Sequence, residues 1–292
     1  MYSILRGCVD SLSQTLAIAF YFTKSDIKTT LIPNTLFAVA AAPISGLDRL
    51  PHVMFWIWFH LLQFDVSNQS LQPEEDMLNK AYRPIPSGRI TLRNAVRLRW
   101  LLVPTCWALS ALYSTEVLGA SMAFITFTIL YNERSGHSGH FLIRNLVNAA
   151  GYAAFETGAT LIAGGNSHTL DRTAILSIYC SAGIVATTIQ AQDFKDEDGD
   201  RVIGRKTIPI VLPSIGRYTV FVPLLLWSGV LSMAWRLDFL TAAAFQTLAV
   251  FVGARFISYK SVPADQISYY WYNVWLSIAH TLPGYYRLYR QV

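Results

Sequence analysis

Charged residues are scarce in this chain. Asp, Glu, Lys and Arg make up 14% of its 292 residues, whereas a soluble globular domain carries roughly 25%. So little charge cannot cover the surface of a soluble domain of this length. It also excludes a disordered chain, which needs high charge and low hydrophobicity. The heptad pattern of a coiled coil and the Gly-X-Y repeat of collagen are missing as well.

Cysteine is nearly absent too. Cys8, Cys106 and Cys180 are far apart in the sequence, and no two of them have the spacing of a zinc-ligand or redox pair. An odd and scattered set of cysteines does not supply a disulfide framework. Packing of apolar groups must therefore hold the fold together.

Hydrophobic residues are abundant instead, at 53% of the chain, and the mean hydropathy is +0.35. A membrane-spanning helix needs about 20 mostly apolar residues, and such runs recur along the whole sequence. They predict an all-α fold, a polytopic membrane helical bundle of nine transmembrane helices that forms one domain over residues 1–292. The predicted spans are 28–46, 52–68, 92–113, 117–132, 145–164, 173–192, 208–233, 238–257 and 267–286.

Basic residues predict the orientation of these spans. With a cytoplasmic N-terminus, 18 of the 23 lysines and arginines lie in or beside loops on the cytoplasmic side, and cytoplasmic loops typically carry this excess. We therefore expect an integral, multi-pass protein of the lipid bilayer whose N-terminus is cytoplasmic. The same loops account for the net charge of +5, so we predict no nucleic acid as a partner.

Acidic residues concentrate in two polar segments on that same side. The first acidic segment is residues 68–91 and the second acidic segment is residues 193–207; each follows an even-numbered span. Asp193, Asp196 and Asp200 are spaced to share one face of a helix. Carboxylates this close repel one another unless a cation lies between them. An all-oxygen ligand set favours Mg2+, which commonly bridges carboxylates to phosphate.

Basic side chains interleave with the acids in both segments, and they are Lys80, Arg83, Arg89, Arg205 and Lys206. Such side chains hold phosphate oxygens directly. A single charged run is ordinarily a hydrated loop. Two runs on one predicted face, each beginning where an apolar helix ends, favour a metal-bridged diphosphate site with a cytoplasmic mouth.

Both segments resemble the signature regions of the UbiA superfamily of intramembrane prenyltransferases. In the first region Asn68 and Asp76 match, and residues 79–91 (NKAYRPIPSGRIT) match almost completely. The second region, Asp-x-x-Asp-x-x-Gly-Asp-x-x-x-Gly-x-x-Thr, is matched by Asp193, Asp196, Gly199, Asp200, Gly204 and Thr207. A weaker third feature is matched by Tyr131, Asn132, Arg144 and Asn145. The resemblance covers about residues 20–285. Gln72 departs from it, because the family has a carboxylate there.

The resemblance implies a Mg2+-dependent site built from both segments. The residues it implies as catalytic are Asp76, Asp193, Asp196 and Asp200, and the same four together with Glu75 are implied as metal ligands. Glu74 and Glu75 would compensate for the neutral Gln72. The residues expected to bind the diphosphate are Asn68, Gln72, Lys80, Arg83, Arg89, Arg144 and Lys206.

Similarity to this family implies that the site removes diphosphate from an isoprenyl diphosphate and leaves an allylic carbocation in an apolar, aromatic pocket. We expect transfer of the prenyl group to a small phenol- or pyrone-like acceptor. Two alternatives stay open. One is a UbiA-type class I terpene cyclase, in which the distal alkene of the same chain attacks the cation. The other is a non-catalytic membrane transporter or lipid-binding scaffold. Asp65 and Glu156 are carboxylates within predicted spans, a placement typical of cavity-facing groups.

Overall fold

The computed structural model describes residues 2–43, 46–71, 73–135, 140–202 and 204–291. These residues form an all-helical bundle, as the apolar runs predict. The α-helices in chain order are α1 Tyr2–Thr23, α2 Ile32–Ala41, α3 Leu50–Leu71, α4 Pro73–Asn79, α5 Leu92–Ala111, α6 Thr115–Ile129, α7 Phe141–Ala163, α8 Arg172–Thr188, α9 Glu197–Val202, α10 Ile208–Val211, α11 Tyr218–Ala234, α12 Phe239–Ser258 and α13 Val262–Tyr289.

Polar side chains mark the starts of several long helices. Thr91, Ser114 and Asp171 each accept a hydrogen bond from the backbone amide three residues further on, at 3.3, 3.1 and 2.9 Å. Asp238 caps α12 in the same way. These bonds satisfy amide groups that the first turn of a helix leaves without an intrahelical partner. They define where α5, α6, α8 and α12 begin.

The predicted spans each overlap a helix, although the bounds differ. The first span, 28–46, is a π-helical stretch, Ile27–Leu31, that continues into α2. The seventh, 208–233, is divided into α10 and α11. Helix α1 is an addition to the prediction, because its apolar residues are too few for a span. Phe22 anchors α1 by packing into a cluster with side chains of α3 and α5.

Two helical stretches of the described chain are long and apolar enough to cross a membrane by composition alone. They are Arg172–Val202, which contains α8, and Phe239–Ser258, with mean hydropathies of 1.5 and 1.6. Other predicted spans carry buried charged side chains that lower their hydropathy, such as Asp65 in α3 and Glu156 in α7. These polar side chains lie inside the bundle.

Buried apolar side chains form two main clusters, one in each half of the chain. The first joins α2, α3, α5, α6 and α7, and the second joins α8, α11, α12 and α13. In the first cluster the indole N–H of Trp56 donates to Ser110, and in the second that of Trp275 donates to Ser228, both at 2.9 Å. Helix α2 packs against both α7 and α13 and so connects the two halves.

One end of the bundle is irregular where the halves meet. It contains the π-helical stretches Ile27–Leu31 and Leu130–Ser135 and the 3-10 turns Ile189–Gln192 and Phe194–Asp196. Such turns take side chains out of the regular helical register and are frequent at functional sites. Side chains from all four stretches line one cavity.

Candidate functional site

The cavity and the open solvent at its mouth together hold about 1180 Å³ of space that protein atoms do not fill. Its walls come from α3, α6, α7 and α13, from the turn at residues 26–30, and from both acidic segments. Charged residues of the segments form the rim. The aromatic residues that line the inner part are Phe64, Phe124, Phe127, Tyr131, Tyr152 and Phe155. A charged rim therefore passes directly into an apolar, aromatic interior.

The first acidic segment contributes bases to the rim. Lys80 and Arg83 line the cavity. The guanidinium of Arg83 donates to Asp76 at 2.6 Å and to Ser25 at 3.3 Å, and both Arg83 and Asp76 are buried. Among the described lining residues Asp76 is not included, so it lies behind Arg83 and holds the guanidinium in place.

The second acidic segment contributes carboxylates and a further base. Asp193, Asp196, Asp200 and Arg205 all line the cavity. Asp193 accepts a hydrogen bond from Arg144, which reaches it from the start of α7. Asp196 pairs with its neighbour Lys195. Asp200 accepts from Arg205 at 2.7 Å. In this structure each predicted carboxylate of the segment is therefore paired with a base.

The structure brings the two acidic segments together at one end of the bundle. Helix α4 packs against α9, and Lys80 and Arg83 line the same cavity as Asp193 and Asp200. The segments are more than 100 residues apart in the sequence, so this contact arises from the fold. It satisfies the central requirement of a shared diphosphate site.

Positive charge is crowded at the rim. Burial is the main cause that lowers the pKa of Lys80, and the charge of Arg83 lowers it further. Burial also disfavours the charged form of Arg83, but Asp76 and Asp26 outweigh it and the pKa of Arg83 is raised. Arg83 therefore keeps its positive charge, whereas burial and the charge of Arg83 disfavour the charged form of Lys80. An anionic ligand beside them would stabilise both positive charges.

Asn68 lines the cavity and donates to Asn132 at 3.0 Å, and Asn132 donates to Ser67 at 3.2 Å. The next residue, Gln69, instead donates to the carbonyl of Phe22 at 2.9 Å and anchors α1. Gln72 and Glu75 are the other two predicted site residues near this end of α3. Gln72 lies outside the described residues, and the side chain of Glu75 lies outside the described part of α4.

Two predicted phosphate ligands lie away from the cavity. The guanidinium of Arg89 stacks over the ring of Tyr21 at 4.1 Å, and Lys206 is exposed. Neither belongs to the described cavity lining. Arg205, the residue before Lys206, is the base that reaches the rim. Contact of Arg89 and Lys206 with the diphosphate stays a prediction.

Asp26 and Tyr269 also line the cavity, although neither belongs to a motif in the sequence. Asp26 accepts from Ser25 at 2.7 Å and lies 3.9 Å from Arg83. A usable signal was its position at the start of the first predicted span, on the predicted side of the site. Tyr269 comes from α13, and no local pattern marks it.

The site suits a hard divalent cation by the chemistry of its donors. Asp193, Asp196 and Asp200 offer oxygen ligands, which Mg2+ prefers, and bases for phosphate stand beside them. In the described part of the chain, no three Asp, Glu, His or Cys side chains converge on one ion position. For a cation to bind here, the carboxylates would exchange their basic partners for the metal, which would leave those bases for the phosphate.

Comparison with known proteins agrees with this geometry. The model of the UbiA prenyltransferase family matches residues 30–276. The chain is similar to the fumagillin beta-trans-bergamotene synthase of Aspergillus fumigatus, with 32% identity over 276 residues that cover 94% of this chain and 93% of that protein. It is also similar to the polyprenyl transferase eriF of Hericium erinaceus, with 30% identity over 208 residues that cover 68% of this chain and 69% of that protein.

Solved structures share the fold. A UbiA homolog from Archaeoglobus fulgidus bound to GPP and Mg2+ superposes with a TM-score of 0.65 at 12% identity, over 92% of this chain and 99% of that chain. At this level of identity the likeness concerns the arrangement of helices. That arrangement is the one that places the two acidic segments side by side in this chain.

Proposed function

The chain belongs to the UbiA prenyltransferase family, and we propose that it is a Mg2+-dependent enzyme that ionises an isoprenyl diphosphate and cyclises the resulting carbocation. The observation that carries the proposal is one cavity whose charged rim continues into an aromatic interior. The rim suits the diphosphate, and the interior suits the isoprenoid chain. The family consists of integral membrane enzymes, in keeping with the apolar helices of the bundle.

The rim binds the leaving group. Lys80, Arg83, Arg144 and Arg205 surround the space available to a diphosphate, and charge-assisted hydrogen bonds from such groups are strong. Asp193, Asp196 and Asp200 would hold Mg2+, which supplies neutralisation of the charge that develops on the leaving oxygen. Donors fixed before the reaction stabilise this charge most effectively. The buried pair of Arg83 and Asp76 is such a fixed donor.

The interior protects the cation. When the allylic C–O bond breaks, its electron pair leaves with the diphosphate and the chain keeps a positive charge. Phe124, Phe127, Tyr131 and Phe155 line the cavity, and aromatic ring faces attract cations. A dry pocket also prevents attack by water. Ring closure then uses the electron pair of the distal alkene to form the new carbon–carbon bond, and the cyclic cation would lose a proton to the released diphosphate to give the neutral hydrocarbon.

Cyclisation is supported by the relative that spans nearly the whole chain, the Aspergillus bergamotene synthase. Transfer to a phenol- or pyrone-like acceptor, the first expectation from the sequence, is the second candidate, and similarity to the Hericium polyprenyl transferase supports it. Both outcomes share the ionisation step. We do not propose a transporter, because apolar residues close the inner end of the cavity in the described part of the chain.

We also propose that the chain crosses the membrane nine times, as the sequence predicts. The charge bias supports a cytoplasmic N-terminus and a cytoplasmic cavity mouth. Water-soluble diphosphates would then enter from the cytoplasm while the isoprenoid chain stays at the depth of the bilayer. Labelling of single cysteines introduced at Lys206 and at Asp238 tests this arrangement, since the two residues should react from opposite sides of sealed vesicles.

Product analysis tests the reaction itself. Proteoliposomes would receive radiolabelled geranyl, farnesyl or geranylgeranyl diphosphate with Mg2+ or with EDTA, first without an acceptor. Mg2+-dependent release of diphosphate together with a cyclic hydrocarbon supports cyclisation. Release that requires an added phenol or pyrone assigns transfer instead. If none of the diphosphates is consumed, the proposed function is wrong.

A further inference from the structure

Asp193 and Asp196 lie on a short turn of the backbone. Asp193 precedes the 3-10 turn Phe194–Asp196 and Asp196 ends it, and the amide of Asp196 donates to the carbonyl of Asp193 at 3.2 Å. A 3-10 turn has poorer hydrogen-bond geometry than an α-helix and is used only in short pieces. Both carboxylates line the cavity, so contacts from other parts of the fold must fix the turn that carries them.

Phe194, the residue after Asp193, points away from the cavity. Side chains three residues apart in a 3-10 turn lie on the same side, and Asp193 and Asp196 accordingly share the cavity side. Phe194 is not among the described residues that line the cavity. It is buried in the apolar cluster of the second half of the bundle, where its ring centroid lies 5.8 Å from that of Phe256. Phe194 thus ties the turn to the core.

Arg217 contacts the ring of Phe194. The central carbon of its guanidinium lies over the ring, 4.7 Å from the centroid. A guanidinium above an aromatic face is attracted by the electrons of the ring and also packs flat against it. Phe194 is therefore held by a charged group as well as by the apolar side chains around it.

Hydrogen bonds fix Arg217 itself. It directly precedes α11, and its guanidinium donates to the carbonyls of Phe256 at 2.7 Å and Tyr259 at 3.1 Å, at the end of α12, where carbonyls lack intrahelical partners. It also forms a two-point ion pair with the buried Asp265, at 2.7 and 2.8 Å, in the first turn of α13. One side chain thus connects three helix ends to the ring of Phe194.

We propose that Arg217 is a positioning residue for Asp193 and Asp196. By holding Phe194, it keeps the two carboxylates at the rim in the arrangement that binds the divalent cation. Because Phe194 lies between them in the chain, a displacement of its ring moves both carboxylates together. Arg217 is not among the described residues that line the cavity, so its effect passes through Phe194. The inference rests on the proposed function and adds to it a residue outside the cavity.

Direct measurement of metal binding tests this role without turnover. Purified protein in detergent would be dialysed to equilibrium against Mn2+, which binds the same oxygen ligands as Mg2+, with inorganic pyrophosphate on both sides. Arg217→Lys keeps the charge but loses the two-point pair and the flat stacking. Phe194→Leu keeps an apolar side chain and removes the ring. We expect each variant to raise the Kd for Mn2+ about tenfold, as loss of groups that orient metal ligands commonly does.

The double variant tests whether the effect passes through Phe194. If it does, Arg217→Lys and Phe194→Leu break one contact and their effects overlap. The double variant should then bind Mn2+ within about threefold of either single variant, whereas independent effects would multiply to about a hundredfold. The Mg2+ concentration for half-maximal diphosphate release should rise in parallel. Partial loss of folded protein lowers the rate of release and leaves that concentration unchanged.

Arg287 supplies a matched control on the same helix. Its guanidinium forms a two-point ion pair with Asp171 at 2.8 and 2.7 Å and donates to the carbonyl of Ala41, so it also ties α13 to its neighbours. Arg287 lies near the end of α13, and neither partner of this pair is among the described residues that line the cavity. Arg287→Lys should lower the melting temperature and leave the Kd for Mn2+ within about twofold.

Three results would overturn the inference while the proposed function stands. The first is wild-type Mn2+ affinity in Phe194→Leu, a variant that answers the question even where Arg217→Lys does not fold. The second is a rise of the Kd in Arg287→Lys as large as in Arg217→Lys, which would reflect a general loosening of α13. The third is multiplied losses in the double variant. A wild type that binds no Mn2+ in the presence of pyrophosphate would overturn the proposed function itself, before any variant is compared.

Discussion

The two acidic segments end in the same backbone turn. Gly88 and Gly204 have φ values of +71° and +72°. In each turn the amide of the following arginine donates to the carbonyl five residues earlier, at 2.9 Å. A left-handed residue with this hydrogen bond is a common way to end a helix or turn. Each turn then leads to a threonine at the start of the next helix, Thr91 or Thr207.

The side chains of the two turns differ. Arg89 in the first turn stacks on Tyr21 of α1, whereas Arg205 in the second pairs with Asp200 and lines the cavity. In the first segment Arg83 serves the rim instead. The Gly-Arg sequence that the two turns share thus specifies the course of the backbone. Contacts with neighbouring helices determine which arginine side chain reaches the cavity.

The largest effect is expected at Asp193. It is one of the carboxylates that the second acidic segment contributes to the cavity, whereas the described lining residues of the first segment include no carboxylate. Asp193→Asn removes a buried negative charge from the rim and weakens the contact with Arg144. Loss of one such group at a site of developing charge lowers turnover by about 100- to 1000-fold, and we expect the upper end. Diphosphate release in proteoliposomes measures it, with protein amount determined by immunoblot.

Asp171→Asn is the control for Asp193→Asn. Asp171 forms a two-point ion pair with Arg287 at 2.7 and 2.8 Å, at the end of α8 away from the cavity. Asparagine still caps a helix, so this variant loses an ion pair and keeps its helix start. Near-normal activity in Asp193→Asn would remove Asp193 from the site.

Asp76→Asn should have the next largest effect, about 100-fold in turnover. Asp76 fixes Arg83 at 2.6 Å, so most of the loss should act through Arg83. Coupled residues show non-additive effects. The variant should therefore add little to the loss already caused by Arg83→Gln, as diphosphate release can measure. Additive losses would instead assign Asp76 its own contact with the metal, as the family resemblance implies.

The arginines of the two turns give an intermediate effect that tests the comparison directly. Arg205→Ala removes a charged hydrogen-bond donor, worth about 1.5–3 kcal/mol, so the KM for the diphosphate should rise about tenfold or more. Arg89→Ala removes a stacking contact with α1 and should leave KM within about twofold. Steady-state measurement of the KM for the diphosphate in both variants tests this difference. An equal rise in KM for both would place Arg89 at the rim after all.

Sequence reasoning was sufficient for the helical class and for the meeting of the two segments. Apolar runs and the clustered acids are local signals, and Asp193, Asp196 and Asp200 indeed line one cavity. The same reasoning placed both Arg205 and Lys206 among the bases for phosphate, and of the two only Arg205 is among the described residues that line the cavity. Adjacent side chains point in different directions after a left-handed glycine, and that direction depends on the three-dimensional course of the turn.

Contributions from distant elements were harder to predict. Asp26 reaches Arg83 because the π-helical stretch before α2 packs beside α3. Helix α1 has mixed polarity and is stabilised by tertiary contacts, such as the anchoring of Phe22 by Gln69. Such contacts join residues more than 40 positions apart, and no periodicity in the sequence encodes them.

The smallest effect is expected from the glycines of the turns. A Cβ on Gly88 or Gly204 meets nothing within 4 Å, so alanine there adds only the left-handed strain of about 1–2 kcal/mol. Both alanine variants should lower the melting temperature by a few degrees, as a thermal-shift assay in detergent can measure.

Only Gly204→Ala should also raise KM for the diphosphate, by about twofold, because Arg205 follows it. Asparagine tolerates the left-handed region better, so Gly204→Asn should recover both properties. If Gly88→Ala raises KM as much as Gly204→Ala, the two turns serve the cavity equally and the contrast drawn between them is wrong.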